Sequence, residues 1–457
     1  MASVRLPTGP KKALLKTMRA ISRPVSRIAG SVRAPGDKSC SHRAVMMAAV
    51  AQGKSTVTGL LEGEDVLNTA KAVRALGAGV ERTGPGAWTI EGVGTKGFST
   101  PTGDLDFGNS GTGARLMMGL VGGHDVSARF VGDASLSSRP MERVLKPLRE
   151  MGVTADTAPG GRLPAIIRGG NLKAIRYAPP EASAQVKSAI MLAGLRADGE
   201  TVVEEKEATR DHTERMLRAF GVEVGVEERS AGGPVVSVRG GQMLKALKAE
   251  VAGDPSSAAF ALAMALIAGE GGASVTGMLD NRTRTGFIDA AKAMGADLRT
   301  EEDGQATGED TVRVIATPSR LRGVSLDPAL VPSMIDELPI FAVLAAFADG
   351  KTKVTGAAEL RVKESDRIKA ICAMLTVNGV EVEELPDGFI VTGRGAGGVA
   401  GGGTVEARHD HRIAMSALVM GSAAKDAVAV DDIAMIATSY PEFFDHMAAL
   451  GADVVTS

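Results

Sequence analysis

The feature that most constrains the fold of this chain is a segment that recurs six times. Each copy is a helix-like stretch that ends in an apolar residue or Asn, then Gly, then Ala or Val at the start of a strand. The six glycines, at spacings of 75, 69, 74, 84 and 72 residues, are Gly77, Gly152, Gly221, Gly295, Gly379 and Gly451. Because glycine adopts a positive φ without steric cost, the pattern predicts a helix C-terminus at each position. A period of this length predicts six copies of one structural unit.

The remainder of each period predicts the order β-α-β-α-β-β. A short strand leads to a polar cluster, a helix of small residues and Met, a β-branched strand such as STVTG or TKVTG, a charged loop and a second helix. This alternation indicates a mixed α/β protein. The residues GKST at 53–56 resemble the end of an ATP-binding loop, but Ala48 stands where that motif requires Gly. We therefore assign GKST to a strand.

The first helix of each unit is apolar on every face, as in AVMMAAVA, AFALAMALIAG and IFAVLAAFADG. Such helices must be buried, which predicts helices inside and sheets outside. Because 457 residues exceed a single core, we expect two lobes of three units each. The predicted lobes are 34–250, and 1–33 together with 251–457, so that one lobe contains both termini. The sixth unit has one strand after Gly451, and residues near 25–33 are expected to supply its missing strand.

The composition excludes several classes of protein. With 52 basic and 54 acidic residues and 3% aromatics, the chain lacks the basic charge and the aromatic content typical of nucleic-acid-binding proteins. Its apolar runs are shorter than the roughly 18 residues of a membrane span. Two cysteines, Cys40 and Cys372, cannot form a disulfide framework and favour the cytoplasm. Residues 1–29 are basic and free of acids, like a transit peptide, but we interpret them as a short solvated leader.

Polar clusters precede the small-residue helices, and charged loops precede the second helices. Asp, Ser and Asn in them are ordinary N-caps, so each cluster alone indicates only a helix start. Lys and Arg are different, because a cation at a helix N-terminus is unfavourable unless an anion binds there. The cations of these loops are Lys38, Arg43, Arg115, Arg139, Arg210, Lys363, Arg367 and Arg412. Together they predict a ligand with several anionic groups.

Acidic residues in two of these loops indicate catalysis. Asp336 and Glu337 lie in the apolar stretch PSMIDELPIF, where desolvation is expected to raise a carboxylate pKa and suit it to general-base work. Glu364 follows Lys363, and such a pair can shuttle a proton. The HDH run at 409–411 could offer two imidazoles to a metal but lacks an obvious third ligand, so a structural or substrate-contacting role is expected. Cys40 lies beside cations expected to lower its pKa. We predict chemistry on a phosphorylated substrate without a covalent enzyme intermediate.

Seven motifs, in order, resemble the signature loops of the 5-enolpyruvylshikimate-3-phosphate (EPSP) synthase family: GDKSCSHR, GNSGTGAR, SSRPM, SAQVKSA, TRDHTE, LRVKESDR and DHRIAM. LLEGEDVLNT, VGDASL and MIATSYPEF further resemble its bacterial class II form. The resemblance covers about residues 30–457. It implies the two-lobed enolpyruvyl transferase fold, no metal or organic cofactor, and transfer of the enolpyruvyl group of phosphoenolpyruvate to the 5-hydroxyl of shikimate 3-phosphate. Phosphate would leave through a tetrahedral intermediate. A cytoplasmic monomer of aromatic amino-acid biosynthesis, inhibited by glyphosate, is also implied.

The resemblance also implies roles for individual residues. Contacts with both substrates are expected of Lys38, Ser39 and Arg43. Shikimate 3-phosphate is expected to contact Ser183, Ala184, Gln185 and Arg210. Phosphoenolpyruvate is expected to contact Asn109, Gly111, Arg139, Arg367 and Arg412, and Thr112 belongs to the same binding loop. The expected catalytic residues are Asp336 at the 5-hydroxyl, Lys363 and Lys38 beside the ligands, and Glu364 as the acid that protonates the methylene carbon.

Two positions depart from the family pattern or vary within it. Thr438, in ATSYP, stands where many members have a Lys that contacts phosphate. Gly111 stands where glyphosate-tolerant class II enzymes have Ala, so ordinary sensitivity is expected.

Two rival functions are less consistent with the sequence. The related UDP-N-acetylglucosamine enolpyruvyl transferases need a catalytic Cys in a loop that here reads FVGDASLSSRP. A non-catalytic phosphosugar-binding protein would be hindered by Asp336 and Glu364, because negative charge opposes anion binding.

Overall fold

The chain forms six small sheets that surround two groups of helices. The computed structural model describes residues 18–457. Its strands are β1 (Ala20–Arg23), β2 (Arg27–Arg33), β3 (Gln52–Thr58), β4 (Gly79–Gly84), β5 (Ala87–Val93), β6 (Leu105–Asp106), β7 (Ser127–Val131), β8 (Thr154–Ala158), β9 (Arg162–Arg168), β10 (Arg176–Tyr177), β11 (Glu200–Glu204), β12 (Val224–Glu227), β13 (Val235–Arg239), β14 (Lys248–Glu250), β15 (Glu270–Leu279), β16 (Asp297–Ala306), β17 (Glu309–Thr317), β18 (Asp349–Val354), β19 (Glu381–Leu385), β20 (Gly388–Arg394), β21 (Thr404–Val405), β22 (Val428–Val430) and β23 (Asp453–Thr456).

The helices alternate with these strands. They are α1 (Lys38–Val50), α2 (Glu64–Ala75), α3 (Gly111–Gly122), α4 (Ala134–Ser138), α5 (Glu142–Met151), α6 (Ala184–Gly194), α7 (His212–Ala219), α8 (Pro255–Ile267), α9 (Gly286–Ala293), α10 (Val331–Met334), α11 (Leu338–Ala346), α12 (Arg367–Val377), α13 (His411–Gly421) and α14 (Phe443–Ala449). Short 3-10 turns occur at Gly94–Lys96, Pro328–Leu330, Ala358–Val362 and Ala434–Thr438.

Five four-stranded sheets share one pairing pattern, and the three-stranded sheet repeats it without the first strand, which confirms the predicted six-unit α/β architecture. In the second unit, β6 runs parallel to β7, and β9 pairs antiparallel with both β7 and β8. The sheet orders are β14-β3-β5-β4, β6-β7-β9-β8, β10-β11-β13-β12, β2-β15-β17-β16, β18-β20-β19 and β21-β22-β1-β23. GKST lies within β3, so its assignment to a strand is confirmed.

The recurring glycines end helices as predicted. All six have a positive φ, from +81° at Gly379 to +116° at Gly152. Gly152 follows α5, and its N–H donates to the carbonyl of Arg149 while the next N–H, of Val153, donates to Leu148. These bonds satisfy carbonyls that a helix leaves unpaired at its C-terminus.

The strand that completes the sixth sheet differs from the one predicted. β1 pairs antiparallel with β22 and β23, whereas β2 runs parallel to β15 in the fourth sheet. The expectation that residues near 25–33 supply the missing strand is therefore wrong. Residues 20–23 supply it, and after the short link of residues 24–26 the chain enters a different sheet. The leader interpretation is wrong for residues 20–23 and 27–29, which belong to β1 and β2; residues 1–17 lie outside the described part of the chain.

The first helix of each unit is buried, as its composition predicts. Buried apolar side chains form one cluster between Cys40 and Val251, and a second from Ala20 to Ala34 and from Ala258 to Leu450. Within residues 18–457, no single helix is long and apolar enough to cross a membrane; one bent pair, Pro328–Met334 with Leu338–Ala346, meets the length only jointly, across a 119° bend.

Close helix packing in the first cluster depends on Gly119. A Cβ there would lie 2.2 Å from the carbonyl oxygen of Ala189, in α6. We expect Gly119→Ala to lower the free energy of unfolding by about 1–3 kcal/mol, although alanine is the better helix former. Urea unfolding measures this, with Gly103→Ala as the control, since a Cβ at Gly103 meets nothing within 4 Å. Equal stability of the two variants would contradict this account of the packing.

Candidate active site

Helix N-termini supply the framework of the site. Five of the six small-residue helices are capped by their own N-cap side chains, those of Asp37, Ser110, Ser183, Asp254 and Asp410. The sixth, α11, begins after Glu337, whose side chain makes no cap bond. Asp336 and Glu337 are therefore free for other contacts.

Asp336 joins cations from both groups of units. Its Oδ2 accepts a hydrogen bond from Arg210 at 3.0 Å, and its Oδ1 accepts one from Arg367 at 3.2 Å. The ammonium of Lys363 lies 3.9 Å from Oδ1, and Arg412 donates to the backbone carbonyl of Asp336 at 3.1 Å. Arg210 precedes α7 in the first group of units, and the other three cations belong to the second group. The structure thus brings five predicted site residues into one cluster.

The charge state of Asp336 differs from the sequence-based expectation. Burial raises its pKa, but the charges of Lys363, Arg412, Arg210 and Arg367 outweigh burial and hold the pKa well below its ordinary value. The expectation of a raised pKa is therefore wrong for Asp336, because it considered desolvation without the surrounding cations.

Glu337, the next residue, behaves in the opposite way. Burial, with a smaller contribution from the Asp336 charge, raises its pKa against the opposing effect of Arg412. It accepts a hydrogen bond from Ser256, and its Oε1 lies 3.8 Å from Arg412. Its second oxygen, Oε2, has no hydrogen-bond partner among the described residues.

Glu364 lies beside the same cluster. Its Oε2 accepts a hydrogen bond from Arg367 at 2.6 Å. Burial raises its pKa, but Arg367, His411 and Lys38 lower it below its ordinary value. Lys38 lies at the start of α1, in the other group of units, where its ammonium is 3.4 Å from Asp65. The charge of Lys38 thus acts on Glu364 from the other group of units.

Guanidinium groups concentrate around Gly111 at the start of α3. Arg139 donates to the side chains of Asn109 and Ser135, each at 3.0 Å. Burial, followed by the charges of Arg143 and Arg139, lowers the pKa of Arg115 to about 10. Mutual repulsion of this kind is relieved when an anion binds between the cations.

The remaining predicted residues lie at the N-termini of α1, α3 and α6. Gln185 donates to Thr112 at 3.0 Å and accepts from Arg115 at 2.8 Å. Ser183 caps α6, and Ala184 is the first residue of that helix. Ser39 is half-buried near the start of α1.

Arg43 is enclosed by its own group of units. It is 2% exposed and donates to Thr213, to Ser188 and to the carbonyl of Ser39. Its direct contact with a substrate stays a prediction.

His411 lies beside the predicted site residues, and the sequence reasoning gave it no specific role. It is buried at the start of α13, and its Nε2 has no hydrogen-bond partner among the described residues. Burial, then the charges of Arg412 and Lys38, lowers its pKa to about 3, so the imidazole is neutral. The HDH run was the available signal, and without an obvious third metal ligand it predicted a structural or substrate-contacting role.

Cys40 is buried, and Thr438 is partly buried. Burial, with Asp37 and Glu309, raises the pKa of the Cys40 thiol well above its ordinary value, so the expected lowering is wrong. Cys40 packs in the first apolar cluster. The hydroxyl of Thr438 donates to Met435 in its own turn.

Two groups of side chains are close enough together to hold a metal ion: Asp37 with Cys40 and His212, and Asp211 with His212 and Glu309. Arginines already occupy their carboxylates, since Arg284 bonds Asp37 and Arg215 bonds Asp211. We therefore assign neither group to a metal.

Cations from two three-unit lobes face each other around partly buried carboxylates. Together with the six repeated units, this arrangement defines an enolpyruvyl transferase-type enzyme that acts on anionic substrates. A model of the family described as "EPSP synthase (3-phosphoshikimate 1-carboxyvinyltransferase)" matches residues 22–447. The chain belongs to the EPSP synthase family, whose members transfer the enolpyruvyl group of phosphoenolpyruvate to shikimate 3-phosphate.

Individual relatives agree over nearly the full length. The chain is 60% identical to a 3-phosphoshikimate 1-carboxyvinyltransferase of Hyphomonas neptunium, over 95% of this chain and 99% of the relative. It is 54% identical to the enzyme of that name from Maricaulis maris, over 96% and 97% respectively. Among solved structures, the EPSP synthase of Acinetobacter baumannii is similar with a TM-score of 0.88 at 42% identity, covering 96% of this chain and 100% of that one.

The opposite pKa shifts of Asp336 and Glu337 predict opposite pH effects on stability. Both groups have pKa values of about 4 in an unfolded chain. Ionised Asp336 stabilises the fold above that pH, and this contribution is lost as pH falls through its lower native pKa. Burial disfavours the ionised form of Glu337 in the fold. The stability that protonated Glu337 contributes is therefore lost as pH rises through its higher native pKa.

Urea unfolding between pH 3 and 7 tests this with Asp336→Asn and Glu337→Gln. As pH rises, wild type should gain stability relative to Asp336→Asn and lose it relative to Glu337→Gln. Slopes of the same sign in the two comparisons would contradict the assignment.

Proposed function

We propose that phosphoenolpyruvate and shikimate 3-phosphate bind together in the cleft between the lobes, and that Asp336 links the two half-sites. The observation that supports this most strongly is the contact of Asp336 with Arg210 from one lobe and Arg367 from the other. Shikimate 3-phosphate would contact Arg210 and the α6 N-terminus, including Ser183, Ala184 and Gln185.

Phosphoenolpyruvate would contact two groups of cations. Its binding residues are proposed to be Asn109, Gly111, Thr112, Arg139, Arg367 and Arg412. Lys38, Ser39 and Arg43 would lie beside both substrates. Burial and then repulsion by Arg143 and Arg139 lower the pKa of Arg115, which supports anion binding near Gly111, because an anion would offset the repulsion.

The proposed reaction needs proton transfers at the 5-hydroxyl and at C3 of phosphoenolpyruvate. In the reaction, the 5-hydroxyl oxygen bonds to C2 of phosphoenolpyruvate while its proton leaves, and C3 gains a proton. Loss of a C3 proton and of phosphate from the tetrahedral intermediate then forms the enolpyruvyl product. Asp336 would act at the hydroxyl, Glu364 at C3, and Lys363 and Lys38 would assist.

Substrate binding would raise the pKa of both carboxylates. The cations that lower these pKa values would instead pair with phosphate and carboxylate groups of the ligands. Asp336 and Glu364 would then exchange protons only when both anions are present, which couples acid–base chemistry to occupancy of the site.

The lobes are proposed to comprise 34–250, and 1–33 with 251–457, and to close over the substrates. The two separate apolar clusters support these boundaries. We further propose a cytoplasmic monomer. Two cysteines in the sequence, free in the structure, are consistent with a reducing compartment.

A coupled phosphate-release assay with phosphoenolpyruvate and shikimate 3-phosphate tests the function directly. One phosphate should form per shikimate 3-phosphate consumed. UDP-N-acetylglucosamine as the alternative acceptor should give no release. Absence of turnover by folded protein with shikimate 3-phosphate would overturn the proposal, and binding without turnover would favour a phosphosugar-binding protein.

Asp336→Ala should lower kcat by about 10²-fold or more, since it removes a group proposed to act in proton transfer. The control is Glu359→Ala, because Glu359 also lies 3.9 Å from Lys363 but its side chain is 62% exposed. Near-wild-type kcat for Asp336→Ala would remove Asp336 from the mechanism.

Gly111→Ala should make the enzyme more tolerant of glyphosate. A Cβ at Gly111 would lie 3.1 Å from Arg115 and 3.6 Å from Arg139, so it would narrow the anion site without clashing with backbone. We expect the inhibitory concentration to rise by at least about tenfold, which corresponds to roughly 1.4 kcal/mol of lost binding. Inhibition curves at fixed phosphoenolpyruvate measure this, with Gly103→Ala as control; unchanged inhibition would count against crowding at Gly111.

A further inference from the structure

One arginine of the repeated loops, Arg284, pairs with carboxylates of the protein itself. The loop before the second helix contains Arg139 in the second unit, Arg210 in the third and Arg284 in the fourth. Arg139 and Arg210 lie at the proposed substrate site, whereas Arg284 is 3% exposed and bonds two aspartates. Its Nη1 donates to Asp37 at 2.6 Å and its Nη2 donates to Asp254 at 2.8 Å.

The two aspartates lie where the chain crosses between the lobes. Asp37 caps α1 in the first lobe, and Asp254 caps α8 in the second. The crossing segments also bond each other: the N–H of Asp37 donates to Ala252, and the N–H of Asp254 donates to Pro35, each at 2.7 Å. Arg284, which precedes α9, therefore holds the N-termini of one helix from each lobe.

Successive side-chain contacts connect the Arg284 guanidinium with the proposed substrate site. Its Nη2 also donates to Ser256 at 3.1 Å, and Ser256 donates to Glu337, which lies 3.8 Å from Arg412. On the other side, Asp37 immediately precedes Lys38. The Arg284 cluster, comprising Arg284, Asp37 and Asp254, thus lies between the proposed substrate cations Lys38 and Arg412.

We propose that Arg284 is a positioning residue that fixes the α1 N-terminus, and with it Lys38, relative to the second lobe. Arg284 does not contact substrate; it sets the alignment in which the lobes meet. This inference rests on the proposed function of the cleft. The contacts of α1 within its own lobe, such as those of Arg43 with Thr213 and Ser188, do not involve Arg284. Loss of the cluster should therefore impair catalysis more than binding of shikimate 3-phosphate by the first lobe.

Asp37→Asn and Asp254→Asn form a matched pair. Both retain a side-chain oxygen that can cap the helix, and both remove one charged contact with Arg284. Only Asp37→Asn weakens the link between lobes. Its kcat should fall by at least about tenfold, because small misplacements of catalytic groups are costly. Calorimetric Kd for shikimate 3-phosphate alone should stay within about threefold of wild type, and Asp254→Asn should retain kcat within about threefold.

Arg284→Lys separates positioning from a direct effect of Asp37 on Lys38. A lysine retains the charge but lacks the planar fork that bonds two carboxylates at once. It should reproduce the loss of kcat, and the double variant with Asp37→Asn should be no worse than the more impaired single variant. This second variant also provides the test if Asp37→Asn does not fold.

Multiplicative losses in the double variant, wild-type kcat in Arg284→Lys, or equal kcat losses in Asp37→Asn and Asp254→Asn would each overturn the proposal. Inactive wild-type protein would instead contradict the proposed function itself, so the two failures are distinguishable.

Discussion

The burial of six helices that are apolar on every face is the constraint on which the rest of the structure depends. A helix without a polar face cannot lie at the surface, so the sheets form the outside and the helices pack against each other. Their small residues permit this, as the contact of Gly119 with α6 illustrates. Packing three such helices side by side brings their N-termini together, and these ends favour anions.

A collection of buried cations would be unstable without acidic partners, and the protein supplies them. Arg367 is 1% exposed, and its guanidinium contacts Asp336, Glu364 and Asp410. Partial neutralisation of this kind keeps a cation in place when no substrate is bound. Arg284 shows the limiting case, in which two aspartates of the protein pair with both terminal nitrogens of a buried arginine.

Sequence patterns predicted the features of the fold that depend on neighbouring residues along the chain. The glycines at helix ends follow from φ alone, and the buried helices follow from composition. The partner of β1 could not be predicted in this way, because a four-residue strand pairs equally well in several sheets and only tertiary packing selects one. The expected charge states of Asp336 and Cys40 were wrong for a related reason, because only the fold shows what surrounds each group. Arg210 and Arg412, distant in sequence, help to lower the pKa of Asp336. Burial, more than any charge, raises the pKa of Cys40. The role expected of His411 stayed general, because Lys38 and Glu364 are brought near it only by the fold.

The way the chain crosses between the lobes bears on how closure could affect catalysis. β2 completes a sheet of the second lobe and β14 completes one of the first, so each link between lobes begins in a paired strand and ends at a capped helix. A rotation of the lobes cannot be absorbed by a slack linker, because residues 34–37 and 251–254 also bond each other. Motion must therefore be transmitted to the N-termini of α1 and α8. Since α1 begins at Lys38, the segment that joins the lobes also sets the position of a cation proposed to bind substrate.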